Sequence, residues 1–403
     1  MHEPWNEREN MKKSLTLQYV LQQCAFWAAA AGVMSFAAAF LLEKGLPASM
    51  VGILLASGNL LSCVFQPILA DRADRMGGNI LKWLIFGLTA FSICCFVSTV
   101  VFELPLLMMG FLFLLGVFTF DAMNPLNNAI CVMYNANGYR INYGMGRGIG
   151  AFAFSLAALG IGRLMADYGA DWMIWISAVL LVLNIVFILG FPNVEKVVSE
   201  EVTPIESCSI AVFFKRYRMY CVSLLGVMFL AMFHAMSENY LIEIVRPLGG
   251  DSGSVGIALF IATAVEMPVI VFFDKVREKI TDNWLLKLSG VFFLLKAILF
   301  LLAPNVTAIY MIQVMQTVTY CFLAPTQLFY ANNKINPVDM VKGQAFITAS
   351  YTLGCACGNF LGGQLLEWFD VTALLMAGVV IAAIGTFVLF ITVDKKDSYI
   401  SEL

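Results

Sequence analysis

Histidine is almost missing from this chain: His2 and His234 are the two among 403 residues. One of them lies in the N-terminal tail, so no His-Glu-x-x-His or Cys-His constellation for a metal can be assembled. Neither a Walker loop nor a Gly-x-Ser-x-Gly turn occurs, and no enzyme is expected. Charge is scarce as well. Asp, Glu, Lys and Arg make up 13% of the residues against 60% hydrophobic, which excludes an ordinary water-soluble domain. A net charge of -3 offers nothing to nucleic acid, and no nucleic-acid partner is expected. Cysteine is present, with ten residues, but all except Cys208 fall in apolar segments. They read as small packing residues rather than disulfide or zinc ligands. No secretory signal is evident, because the first apolar segment, 17–42, is too long for a signal core and more follow it. Met11-Lys12-Lys13 reads as an alternative start, with little carried by the preceding ten residues.

What is abundant is long apolar runs. Twelve recur, each near or above the roughly 20 residues that cross a hydrocarbon core of about 30 Å. The expected spans are 17–42, 49–70, 80–102, 104–134, 142–166 and 171–191, then 219–245, 254–274, 284–303, 306–332, 341–367 and 371–393. Lys and Arg alternate between the connecting segments. Nineteen of the 24 fall on one side, three (Lys44, Arg163, Arg246) on the other, and two (Arg147, Lys296) inside spans. This asymmetry predicts a multi-pass protein of the cytoplasmic membrane with both termini in the cytoplasm. The segment 192–217 is charged and lacks an apolar run, so it is expected to be a cytoplasmic linker between bundles at 1–191 and 218–403.

The halves repeat. Gln66-Pro67, an Asp/Arg cluster and Ile-Leu-Lys-Trp-Leu are echoed by Glu266-Met267-Pro268, Asp274-Lys275-Val276-Arg277 and Trp-Leu-Leu-Lys-Leu; Pro67 and Pro268 are 201 residues apart. Gly144 and Gly343, which open the fifth and eleventh spans, are 199 apart. A duplicated six-helix half places a solute site near the midplane between the halves. Glycines four apart, at Gly146 and Gly150 and at Gly354, Gly358 and Gly362, are expected to give smooth contacts for rocking.

Asp121, Arg147, Glu238, Glu266 and Lys296 lie within apolar spans. A charge at the bilayer centre costs about 2.5–3.5 kcal/mol on insertion scales, so these groups must face the bundle interior, pair or be neutral. Two pairs suggest themselves: Glu266 with Lys296 and Asp121 with Arg147. Glu238 is then left with His234 one turn earlier, an arrangement suited to carrying a proton. Amides (Gln22, Gln23, Asn59, Asn127, Asn128, Asn239, Gln313, Gln316, Asn359) are expected to line a polar cavity, while the third, sixth and twelfth spans read as nearly free of amides and charges. Trp27, Phe154 and Tyr320 are aromatics able to stack on a ring.

Taken together, the chain resembles the major facilitator superfamily, and within it the oligosaccharide/nucleoside proton symporter branch of lactose permease. Ala70 followed by Asp74-Arg75-Met76-Gly77 resembles the superfamily's loop signature, with Ala in place of its first Gly and Gly78-Asn79 in place of its trailing basic pair. That resemblance implies a gating role for Asp74 and Arg75. Tyr143-Gly144-Met145-Gly146-Arg147 matches the spacing around the branch's sugar-binding Arg, with Phe154 where a stacking Trp stands. The Arg's acidic partner aligns near Asn128, so Asp121, two turns away, is the expected substitute. The resemblance places Lys296 and Glu266 in a proton-coupling network, and Gln316 and Thr319 where the branch carries His and Glu. It implies an all-α fold of two pseudo-symmetric six-helix bundles and proton-coupled uptake of a small polar solute by alternating access, with proton-coupled efflux as the alternative. No cofactor beyond the proton gradient is implied, and the expected partners are a small-molecule substrate, protons and the lipid bilayer, with the protein a monomer.

Overall fold

The computed structural model describes residues 5–76, 78–194 and 209–394, with side chains at 5–14, 67, 70–76, 78, 79, 270 and 271 outside the description. Every element among the described residues is helical. Ten helices are long and apolar enough to cross a bilayer. A pair bent by 47°, Leu15–Ser35 with Ala37–Glu43, makes up to eleven. The expected twelfth, Met340–Trp368, has 29 residues but is diluted by Gly, Ser, Thr and Gln. Length and apolarity alone therefore do not reach the count of twelve.

The chain divides into two compact units. Unit 1 comprises Met1–Leu46, Leu60–Glu200 and Ser252–Thr263. Its helices are α1 (Trp5–Ala30), α2 (Ala37–Glu43), most of α3 (Ala48–Met76), α4 (Gly78–Val101), α5 (Leu106–Ala136), α6 (Tyr143–Tyr168) and α7 (Asp171–Leu189). α1 packs on α6 and α7, and α4 packs on α5 and α7. A π-helical turn, Ala31–Ser35, breaks the first span. At its start Gly32 faces the Ser177 hydroxyl on α7, where any Cβ would collide. At the other end of the bundle Lys82 donates to the Phe191 and Pro192 carbonyls at 2.9 and 3.4 Å and to Asn193 Oδ1 at 2.7 Å. Together with the Tyr134 hydroxyl, which also donates to the Pro192 carbonyl, it caps the carbonyls beyond α7.

Unit 2 comprises Pro47–Asn59, Glu201–Asp251 and Ala264–Leu403. After α8 (Ile210–Arg216) come α9 (Arg218–Asn239), α10 (Leu241–Val245), the second part of α11 (Ser252–Val271), whose first part Ser252–Thr263 belongs to unit 1, then α12 (Phe273–Arg277), α13 (Asp282–Leu302), α14 (Val306–Gln313), α15 (Tyr320–Lys334), α16 (Met340–Trp368) and α17 (Val371–Thr392). Here α9 packs on α16 and α17, and α13 packs on α15 and α17.

The duplication read from the sequence is visible in where helices start and stop. Met76 and Arg277 end helices 201 residues apart, as do Val101 and Leu302. Leu106 and Val306, Tyr168 and Trp368, and Asp171 and Val371 are each 200 apart. The packing order repeats too: α1 with α6 and α7 corresponds to α9 with α16 and α17. Apolar stripes on equivalent helices meet the same equivalent neighbours, which is what two copies of one packing solution require.

The spaced glycines serve this packing inside each unit. Gly146 lies against Tyr19 and Gly150 against Trp27, both on α1, while Gly354 and Gly358 lie against the Met228 and Met232 carbonyls of α9. In the structure they let helices of one unit touch closely.

Candidate functional site

Unit 1 carries a polar chain that starts at Arg147. Asn142 caps α6 by accepting from the Met145 amide at 2.9 Å, which fixes the first turn and sends the Arg147 side chain back along α1. The guanidinium lies over the Trp27 ring, 3.8 Å from its centroid. The Trp27 indole N–H donates to Gln23 Oε1 at 3.0 Å, and Gln23 Nε2 donates to Gln22 Oε1 at 3.0 Å. Gln22 Nε2 then donates to Asn127 Oδ1 on α5 at 3.1 Å and to Asn184 Oδ1 on α7 at 2.9 Å. Because an indole can only donate, its bond settles the sense of every amide that follows. The chain ends with the Asn127 and Asn184 Nδ2 amines, both buried and without an acceptor among the described residues.

Asp121 stands apart from that chain. Its carboxylate accepts from the Ser62 hydroxyl at 3.4 Å. The expected Asp121–Arg147 ion pair is not formed among the described residues, since Arg147 is held by an aromatic face. Phe154 lies two turns beyond Arg147 on α6 and is half-buried; Asn128 is half-buried with its Oδ1 lacking a donor. Asn184 is the one amide in a sixth span expected to be nearly free of them. It is fully buried, and its signal was being the lone amide in an otherwise apolar helix.

Unit 2 has a polar centre of a different kind. Lys296 on α13 is fully buried. Its Nζ donates to Glu238 Oε1 on α9 at 2.9 Å and to Gln316 Oε1 at 2.8 Å. Gln313 Nε2 donates to the other oxygen, Glu238 Oε2, at 3.1 Å. The tenth span makes this geometry by breaking: a 3-10 turn at Val314–Thr317 separates α14 from α15. In a 3-10 turn residues three apart eclipse, so Gln313 and Gln316 face the same way. His234, one turn before Glu238, stacks on Tyr320 with centroids 5.3 Å apart and planes 9° apart; its Nδ1 is buried without a partner. Lys296 was expected to pair with Glu266 and Glu238 to have no basic partner. The amine instead goes to Glu238 and to Gln316, which lies in the 3-10 turn that breaks the tenth span. Glu266 is half-buried on α11, two residues before Pro268. Asp74 and Arg75 lie on the helical backbone of α3, which continues to Met76, but their side chains are outside the described residues. Among the described residues no cluster of His, Cys, Asp and Glu could hold a metal ion.

These features define a multi-pass helical membrane protein built from two copies of one bundle, with polar centres inside otherwise apolar spans. The family model for the MFS_1 like family matches residues 17–377, and the chain belongs to that family. It is a secondary transporter of the major facilitator kind, not an enzyme. No curated protein matches it. Among solved structures it is similar to the nucleoside transporter NupG in a point-mutant form, with TM-score 0.82 and 14% identity over 94% of this chain and 100% of that one. It is also similar to the POT family transporter PepTSo, with TM-score 0.69 and 13% identity over 94% and 97%. A bacterial homolog of the human lysosomal transporter Spinster gives TM-score 0.65 and 15% identity over 97% and 98%. At these identities the likeness is one of fold.

Proposed function

We propose that the protein imports a small polar solute together with a proton across the cytoplasmic membrane, as a monomer, by alternating access, with both termini in the cytoplasm. The observation that carries this reading is the Glu238–Lys296 pair. Both carboxylate oxygens of Glu238 are occupied, one by the Lys296 amine and one by Gln313. A proton on Glu238 removes the charge that the Lys296 amine is paired with and leaves a buried cation to be rehoused. Protonation and rearrangement become a single event, which is the property a coupled carrier needs. His234, beside Glu238 and stacked on Tyr320, is the neighbouring group able to relay that proton. Arg147, Trp27, Phe154, Asp121, Asn128, Gln316 and Tyr320 are proposed to bind the solute, and Glu266 to contribute a second carboxylate to proton coupling. Asp74 and Arg75 are proposed to latch the loop that gates access.

The test is reconstitution in proteoliposomes with an imposed inward proton gradient. Uptake should need the gradient, and Glu238→Gln should abolish gradient-driven accumulation while sparing counterflow exchange. Extrusion of solute under the same gradient would reverse the direction and favour an efflux antiporter.

A further inference from the structure

The charges buried in the spans are not equivalent. Asp121 and Glu266 are carboxyls and can become neutral by taking a proton; Lys296 is compensated by Glu238. Arg147 can do neither. A guanidinium does not lose its proton in a protein, and no carboxylate pairs with this one among the described residues. It is therefore the one fixed and uncompensated charge in the described spans of unit 1.

Its setting is built rather than incidental. Trp27 supports the guanidinium by its face alone, which takes none of the five N–H donors. The indole is itself fixed, by its N–H bond to Gln23 and by Gly150, where a Cβ would come within 2.9 Å of Trp27 Cδ1. Gly146 beside it seats Tyr19 and Gln23. Arg147 is exposed, and no protein acceptor occupies its edge among the described residues. A planar fork held by its face and open at its edge matches a carboxylate or phosphate, which it can grip by two parallel charge-assisted bonds. Sugar hydroxyls are neutral and would leave the guanidinium without a counter-ion.

We infer that the transported solute carries an oxyanion group, a carboxylate or a phosphate, held edge-on by Arg147 while Trp27 keeps the guanidinium oriented. This rests on the reading that Arg147 belongs to the solute site of a transporter.

The experiment measures thermal unfolding of the purified full-length protein at constant ionic strength against matched pairs: glucuronate and glucose, uridine monophosphate and uridine. A charged member should raise the midpoint while its neutral counterpart does not. Which pair responds separates carboxylate from phosphate. Arg147→Gln should weaken the apparent affinity by about tenfold or more. Arg147→Lys, which keeps the charge but loses the fork, should recover part of it, and Trp27→Leu should weaken binding with the charge intact. Unliganded midpoints and size-exclusion profiles show whether each variant folds. The inference is overturned if neutral and charged members stabilise equally, if the anion effect survives Arg147→Gln, or if neither anion stabilises. Gradient-driven uptake of uridine at full rate would leave the transporter reading intact and end this one. Arg147-dependent anion binding with no uptake of any of the four would do the opposite.

Discussion

Gln66 supplies Asp121 with the hydrogen bond that Pro125 cannot. Pro125 sits inside α5 and has no amide hydrogen to return to the carbonyl four residues back, which is that of Asp121. Gln66 Nε2 donates to that oxygen at 3.1 Å. Gln66→Leu should therefore orphan a carbonyl in an apolar setting and cost about 1–3 kcal/mol. In a Pro125→Ala background the helix supplies its own bond, and the same substitution should cost much less. Unfolding free energies of the four proteins in a double-mutant cycle check this, and additivity would refute it.

The buried ion pair predicts a separation of stability from function. Lys296→Met alone leaves Glu238 without its cation, and Glu238→Leu alone strands the amine. Each should destabilise by about 3–5 kcal/mol. The double variant Lys296→Met with Glu238→Leu should recover most of that loss, since two apolar groups then fill the site. It should still fail to accumulate solute under a proton gradient. Thermal unfolding paired with uptake in the same preparation is the measurement, and a double variant that transports normally would contradict the coupling role.

Glycines in this chain divide into two kinds that a stability assay can tell apart. Gly354 faces the Met228 carbonyl and the Ala231 methyl, so Gly354→Val forces α16 away from α9 and should cost about 1–3 kcal/mol or more. Gly87, within α4, has open space where a Cβ would go. Gly87→Ala should be stabilising by up to about 1 kcal/mol through helix propensity. Equal effects at the two sites would count against the packing described.

One carboxylate outside the spans gives a pH dependence. Asp394, just past α17, is bonded to the buried Lys287 amine, and that bond holds its carboxyl below the usual carboxylate range. A lowered folded-state pKa means the unfolded chain binds the proton more readily. The contribution is then present above the unfolded value of about 3.9 and lost as pH falls through the folded one. Because the aspartate is exposed, Asp394→Asn should cost no more than about 1 kcal/mol at pH 7. The difference from the parent should shrink as pH falls below the usual carboxylate range. A gap that widened on acidification would contradict the assignment.

Much of this architecture was legible in the sequence because it is written in periodicities. The 199- and 201-residue offsets anticipated helix ends such as Met76 and Arg277. The scarcity of charge within apolar runs singled out Arg147, Glu238 and Lys296 before any geometry was known. Partner choice was not legible. Glu266 and Glu238 were both plausible mates for Lys296, and Gln316, the other partner of the amine, lies in a 3-10 turn at Val314–Thr317 that no residue there announces. The bend in the first span was equally silent: its π-turn follows from Gly32 approaching Ser177, a contact between helices far apart in sequence. Asn184 was overlooked because one amide hardly alters the apolar average of a helix.

The amides from Gln23 to Asn184 have consequences beyond holding α1 to α5 and α7. All of them point the same way, and turning any one would set oxygen against oxygen or amine against amine along the row. The first bundle thus has an internal compass needle. Its north is set by a single indole hydrogen, and disturbing Trp27 from the solute side would be felt at two distant asparagines without any helix having to move.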